Sequence, residues 1–453
     1  MTNDFLGNPV APDSADCIGA IDDFIGGFLC YEPRMLRILE AADGAAGAVL
    51  ANACAGILCM FGESVEAPAQ ARKYLGRIHL VRPSHELRER LYAELLASWI
   101  EDEMPRVLKL CERLQAAFPR DLLAAKLAQY LHFNRGDFPA MLRIGLKAVE
   151  AAPDVAQAHG MLAFAFEQCH LLDRAEQSAR RALELKPDEP WAQHALAHVM
   201  LTQGRIDEGA AFMAAASDGW SGLTSFMSTH NWWHLALFHL ARGRDDLVLE
   251  IYDEHVWGIE PSYSQDQVGA VSLLARIEFS GVDVGPRWEQ LAPWLQRRAN
   301  DTALPFLSLQ YLYGLARAKQ PEAGELLAAI RARANDAPEH ARPTWRDVAL
   351  PVAEAIVAHA AGDHARAASL LGGALPKLSA IGGSHAQRDL FAQIELDALW
   401  RSGQLIAAQQ AFEQRRLRDP KDVPTNRALS AIYADLGLPS LASEARALAG
   451  AQG

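Results

Sequence analysis

Four histidines are spaced to act together. His194 and His198 stand in WAQHALAHVM, and His230 and His234 in THNWWHLALF. On a helix, residues four apart share a face, one turn from each other. If the two helices are neighbours, four imidazoles meet at one patch. Such groups can pass a proton as general acid or base, or donate to a carboxylate in a pH-sensitive way. The candidate catalytic residues are therefore His230, His234, His194 and His198, with Asp253 to orient a ring. Candidate ligand-binding residues are Asn231, Trp233 and His255 beside them, and the triplet Gln387, Arg388 and Asp389. That triplet follows Gly-Gly-Ser at an expected helix start, where free N–H groups and a guanidinium suit a carboxylate or phosphate.

Plainer readings compete with each of these. Fifteen histidines in 453 residues give about half of one such pair by chance, so composition alone makes two pairs a modest excess. Buried imidazoles bonded to carbonyls need do nothing more. Trp232 and Trp233 can simply pack between helices, and Asp389 can pair with Arg388 or finish a helical turn. Metal is the least favoured chemistry, because neither pair has the Glu of a His-Glu-x-x-His motif. No metal ligand and no cofactor is assigned, although zinc would accept three histidines and Asp253. No Ser, Cys or Lys nucleophile stands out: Cys169 and His170 are adjacent, so on a helix they point apart. Gly382-Gly383 is no nucleotide loop, since it lacks the Gly-x-x-x-x-Gly-Lys pattern.

The elements that must hold these residues are helical repeats. In AHGMLAFAFEQCHLLDRAEQSARRALELKP, from Ala158 to Pro187, Leu162 and Ala163 form a close-packed pair on a first helix. Ala175 and Ala182 are the small residues of a second helix, and Pro187 closes the unit. Small residues let two antiparallel helices approach, which is the tetratricopeptide grammar. It recurs with turns at Gly136, Gly204, Gly243, Gly362, Gly403 and Gly437. Ser217 to Thr229 interrupts the pattern, and Glu260 to about Pro305 fits it poorly, although SQDQVGAVSLLARIEF reads as helix. Sustained strand alternation is nearly absent.

THNWWHLALFHLARG with YDEHV, then GVDVGPRWEQLAP, then IGGSHAQRDLFAQ, together resemble the tetratricopeptide repeat protein 38 family. The likeness runs from about residue 17 to the last repeat. It implies a fold and carries no established activity. It also implies that His194, His198, His230, His234, Asp253, His255, Gln387, Arg388 and Asp389 match the family pattern, whereas His159 and His385 depart from it.

Composition narrows the rest. A net charge of -13 with no basic stripe argues against a nucleic-acid partner. Six scattered cysteines without a Cys-x-x-Cys fit buried thiols in a reducing cytosol, so a cytoplasmic location is expected. The apolar stretch Ala45 to Phe61 is short for a membrane span and reads as a buried helix, so no membrane partner is expected. The expected fold is all-α: a right-handed α-solenoid of tetratricopeptide-type helix pairs, curled to enclose a central groove. The expected parts are a tail (1–16), an N-terminal helical region (17–87), a repeat region with the His pairs (88–264), an irregular helical region (265–343) and C-terminal repeats (344–453). The expected function is binding of a peptide or small acidic ligand in a His-rich concave pocket. An enzyme acting on a small anionic substrate, and a protein–protein scaffold without a pocket, are the alternatives.

Overall fold

The computed structural model describes residues 2–80 and 86–450. It divides into two compact units, one of residues 1–196 and 219–227, the other of residues 197–218 and 228–453. Both units are all-α and built of antiparallel helix hairpins. The strands among the described residues are Thr2–Asn3 and Pro9–Val10, which form one antiparallel ladder.

The hairpins follow the small-residue logic. On the helix Leu172–Leu185, Ala175, Ala179 and Ala182 are the buried residues, and the preceding helix Ala156–Gln168 packs against that strip. Removing bulk there lets the backbones approach, while the charged remainder of the helix stays in water. The turns use glycine where the chain must go left-handed: Gly136, Gly204, Gly243, Gly362, Gly403 and Gly437 all have φ between 67° and 83°. Asp121, Asp137, Asp363 and Asp422 cap the helices that follow them by accepting a backbone N–H. The apolar segment before Phe61 is the helix Val49–Met60, buried in the first unit's core. No described helix is long and apolar enough to cross a membrane.

In the first unit, Arg88 is fully enclosed and pairs with Asp4 and Asp121, each at 2.8 Å. Tyr92 donates to the other Asp121 oxygen. Asp121 thus ties a helix start to a neighbouring helix, and Arg88 extends the tie to the N-terminal segment through Asp4.

The segment that fits the repeat template poorly is nonetheless helical, with Ser264–Phe279 followed by Arg287–Gln296 and then Pro305–Arg317. The small residue has moved to the other helix of the pair. A methyl group at Gly314 would meet Leu295 Cδ1 at 2.4 Å, so glycine there accepts a leucine where the template expects alanine. The polar interruption is shorter than its sequence suggests: it holds a 3-10 turn, Ser217–Trp220, and helix already begins at Ser225.

In the second unit the C-terminal hairpins return to the first ones. Arg427 pairs with Asp245 at 2.9 Å and donates to the Ser280 carbonyl. A methyl at Gly243 would lie 2.8 Å from Val423 Cγ1, and one at Gly204 would lie 2.7 Å from the Arg418 carbonyl oxygen. The turns of early hairpins therefore abut a late one.

Candidate functional site

The second unit's part of α1 (Pro190–Thr202) and of α2 (Ser225–Ala241), with α3 (Ser264–Phe279), α4 (His385–Arg401) and α5 (Leu405–Arg416), carries the site. The division between units runs through α1, after Leu196. Helix α2 is fixed at its start by Thr229, which donates to Asp266 at 3.3 Å. Asp266, fully buried at the beginning of α3, also accepts the Glu260 N–H.

Within this unit, α1 and α2 bring three of the four histidines together. His198, His230 and His234 each offer a ring nitrogen, and these nitrogens lie within 4.8 Å of one another. The His198 and His234 rings are 4.4 Å apart between centroids, and the His230 and His234 rings 4.9 Å. All three are buried; His230 is the most open, at 9% exposure. Burial, reinforced by neighbouring His198, pushes His230 down to about 3, so its ring is neutral at physiological pH. His194 stands one turn earlier on α1 and stacks on Trp191 with ring centroids 4.3 Å apart.

Aromatic and cationic groups continue from this cluster. The Trp233 ring lies parallel to His230, and the Arg276 guanidinium covers Trp233 at 5.3 Å. Arg276 is 3% exposed. It donates to the Ser272 carbonyl and hydroxyl on its own helix and, across to α4, to the Ala386 carbonyl at 2.5 Å. No carboxylate among the described residues lies within 4.0 Å of it. Burial draws its pKa down to about 10.

The Gln387–Arg388–Asp389 triplet is divided among three tasks. Gln387 completes a reciprocal cap with Ser384 at the start of α4. Arg388 donates to the carbonyls of Gly382 and Gly383 and to His385 Nδ1. Asp389 accepts a two-pronged pair from Arg415, at 2.6 and 3.0 Å. Although burial by itself raises it, the Arg415 guanidinium holds the Asp389 carboxyl well below the usual carboxylate range. Both side chains keep 31% of their surface accessible.

The remaining predicted residues are placed as follows. Asn231 is fully buried on α2, three residues before His234, with neither amide atom hydrogen-bonded among the described residues. Asp253 and His255 lie on a π-helical turn, Tyr252–Val256. Asp253 pairs there with Arg287 at 2.5 Å, and His255 stacks on Trp232 with centroids 3.7 Å apart. These two are thus engaged with Arg287 and Trp232.

Sequence reasoning passed over Arg276, Arg415 and Asp266. The signal for Arg276 was a cation following the apolar run Leu273-Leu274-Ala275 on a helix that reads as buried, a position where a charge is costly. It also passed over a second group in which His359 Nε2 lies 2.7 Å from Asp397, which Arg401 also pairs, with His364 alongside.

No protein-family model matches the chain. Solved helical-repeat structures are similar to it at low identity. A human IFIT1 dimer with PPP-AAAA is 12% identical over 98% of this chain and 95% of that one, with a TM-score of 0.39. The Cut9–Hcn1 hetero-tetramer of the APC/C is 13% identical over 89% of this chain and 60% of that one, at 0.36. A Rap protein complexed with Competence and Sporulation Factor is 11% identical over 88% of this chain and 99% of that one, at 0.38. With TM-scores below 0.5, the architecture is read from the helices themselves.

Proposed function

We propose that this tetratricopeptide-type repeat protein is a binding protein that takes a small acidic ligand, carrying a carboxylate or phosphate, in the second unit. The ligand would sit between the histidine-bearing helices and the arginine-bearing start of α4. The observation that carries this reading is Arg276. A buried guanidinium without an ion-pair partner is costly, and an incoming anion offsets that cost. Arg276 has only the charge of Asp389 to face, and Arg415 already holds that carboxylate in a two-pronged pair. The Asp422 carboxyl, which caps its own helix, acts on Arg415 and is not a partner of Arg276. Asn231 adds an amide whose hydrogen-bonding capacity is unspent.

An acidic peptide is the larger member of the same ligand class, and the test separates the two. An enzymatic role oriented by Asp253 is less well supported, because Arg287 holds that carboxylate. Resemblance to the tetratricopeptide repeat protein 38 family is compatible with either role.

The experiment is calorimetric titration of the full chain with citrate, inorganic phosphate and a hexaglutamate peptide. Native mass spectrometry of the protein as purified accompanies it. Saturable binding of citrate or phosphate, weakened about tenfold or more by Arg415→Gln with the helical circular-dichroism spectrum unchanged, supports a small anion. Binding of hexaglutamate alone supports a peptide groove. No binding of any of the three at millimolar concentration, with no copurified molecule, sinks the proposal.

A further inference from the structure

We infer that His198, His230 and His234 form a binding site for a divalent late first-row transition ion of the zinc class. Three imidazoles and an open fourth position would complete the coordination. The inference concerns the ion alone and stands or falls separately from anion binding.

The geometry is that of a site awaiting contraction. Zinc–nitrogen bonds of about 2.0–2.1 Å place tetrahedral donors roughly 3.4 Å apart. The three ring nitrogens already lie within 4.8 Å of one another, so small side-chain rotations close the difference. Two donors come from one helix at the four-residue step, and the third comes from the neighbouring helix. The chelate is thus built on rigid elements, not on loops. The helix that supplies two of them is anchored at its start by the Thr229–Asp266 hydrogen bond.

The chemistry of the donor set selects the ion. Imidazole nitrogens without a carboxylate suit zinc, nickel or copper and disfavour calcium or magnesium, which prefer oxygen. Three protein ligands leave one position for water or a ligand group, in contrast to a closed structural site. His230, the most exposed of the three, marks the side from which that position is reached.

The test uses the full chain, stripped with chelator and titrated with zinc chloride in a buffer free of phosphate and carboxylates. One tight equivalent is expected. His198→Gln and His230→Gln should each weaken it about 100-fold or more, with the helical spectrum retained. His359→Gln, which alters the other His–His–Asp group, should leave that equivalent in place. Absence of tight zinc binding overturns the inference. So does a tight equivalent that survives His230→Gln or is lost in His359→Gln. If the histidine variants fail to fold, the cobalt(II)-loaded wild-type chain decides. Paramagnetically shifted imidazole N–H signals from at least three histidines are expected, and fewer overturn the assignment.

Discussion

His230 and Trp233 lie face to face, with ring centroids 5.4 Å apart and planes 7° apart. They are three residues apart on one helix, so the stack is intrahelical, and the Arg276 guanidinium lies over the same indole at 5.3 Å. The indole therefore connects the imidazole cluster to the buried guanidinium. Trp233→Ala is expected to cost about 3–5 kcal/mol of stability, as large-to-small changes at enclosed aromatic positions do. Trp233→Phe should cost clearly less. Urea denaturation checks both, and a loss below about 1 kcal/mol for the alanine variant would show the stack to be dispensable.

The Asp389–Arg415 pair should make the second unit acid-sensitive. The folded carboxyl titrates below its unfolded value of about 3.9. Its stabilisation is therefore complete above that value and is lost as pH falls through and below it. Asp389→Asn should cost about 1–3 kcal/mol at pH 7, less than a fully enclosed pair because a third of each side chain is open. The difference between wild type and variant should shrink on going from pH 7 to pH 3. A constant difference would mean that the pair contributes through shape and not through charge.

Gly243 reports on the return of the C-terminal hairpins. Its φ of +67° makes any side chain cost roughly 1–2 kcal/mol before the contact with Val423 is counted. Gly243→Ala should therefore destabilise by at least that amount. Combined with Val423→Ala, it should cost less than the two changes separately, since removing the valine branches relieves the clash but not the backbone strain. Strict additivity of the two would place these helices out of contact in solution.

His255 should matter little to stability. It stacks on Trp232 at a partly exposed position, so His255→Ala is expected to cost about 1 kcal/mol or less. A loss several times larger in thermal unfolding would give the π-helical turn a structural role that its exposure does not suggest.

Much of this was legible in the residues. Alanine at one-face spacing and glycine at each turn specify helix hairpins, because close backbone approach and a left-handed turn leave few other choices. The four-residue step put His230 and His234 on one face before any neighbour was known. The segment from Glu260 to Pro305 was harder, because Gly314 does the work of the missing alanine from the next helix. No pattern within one helix announces a complementary gap in another.

The sequence by itself determined the all-α repeat architecture, the turns and the candidate imidazoles, since each is set by contacts within about one helical turn or one hairpin. Tertiary structure alone decided which charges meet. Arg388, the expected anchor, turns back on Gly382 and Gly383, Asp253 goes to Arg287, and Asp389 goes to Arg415. Arg276, unremarked in the chain, becomes the buried cation beside the site. Long side chains choose partners by distance and desolvation across helices more than a hundred residues apart, as Arg276 and Ala386 are, and that choice is not written in local spacing.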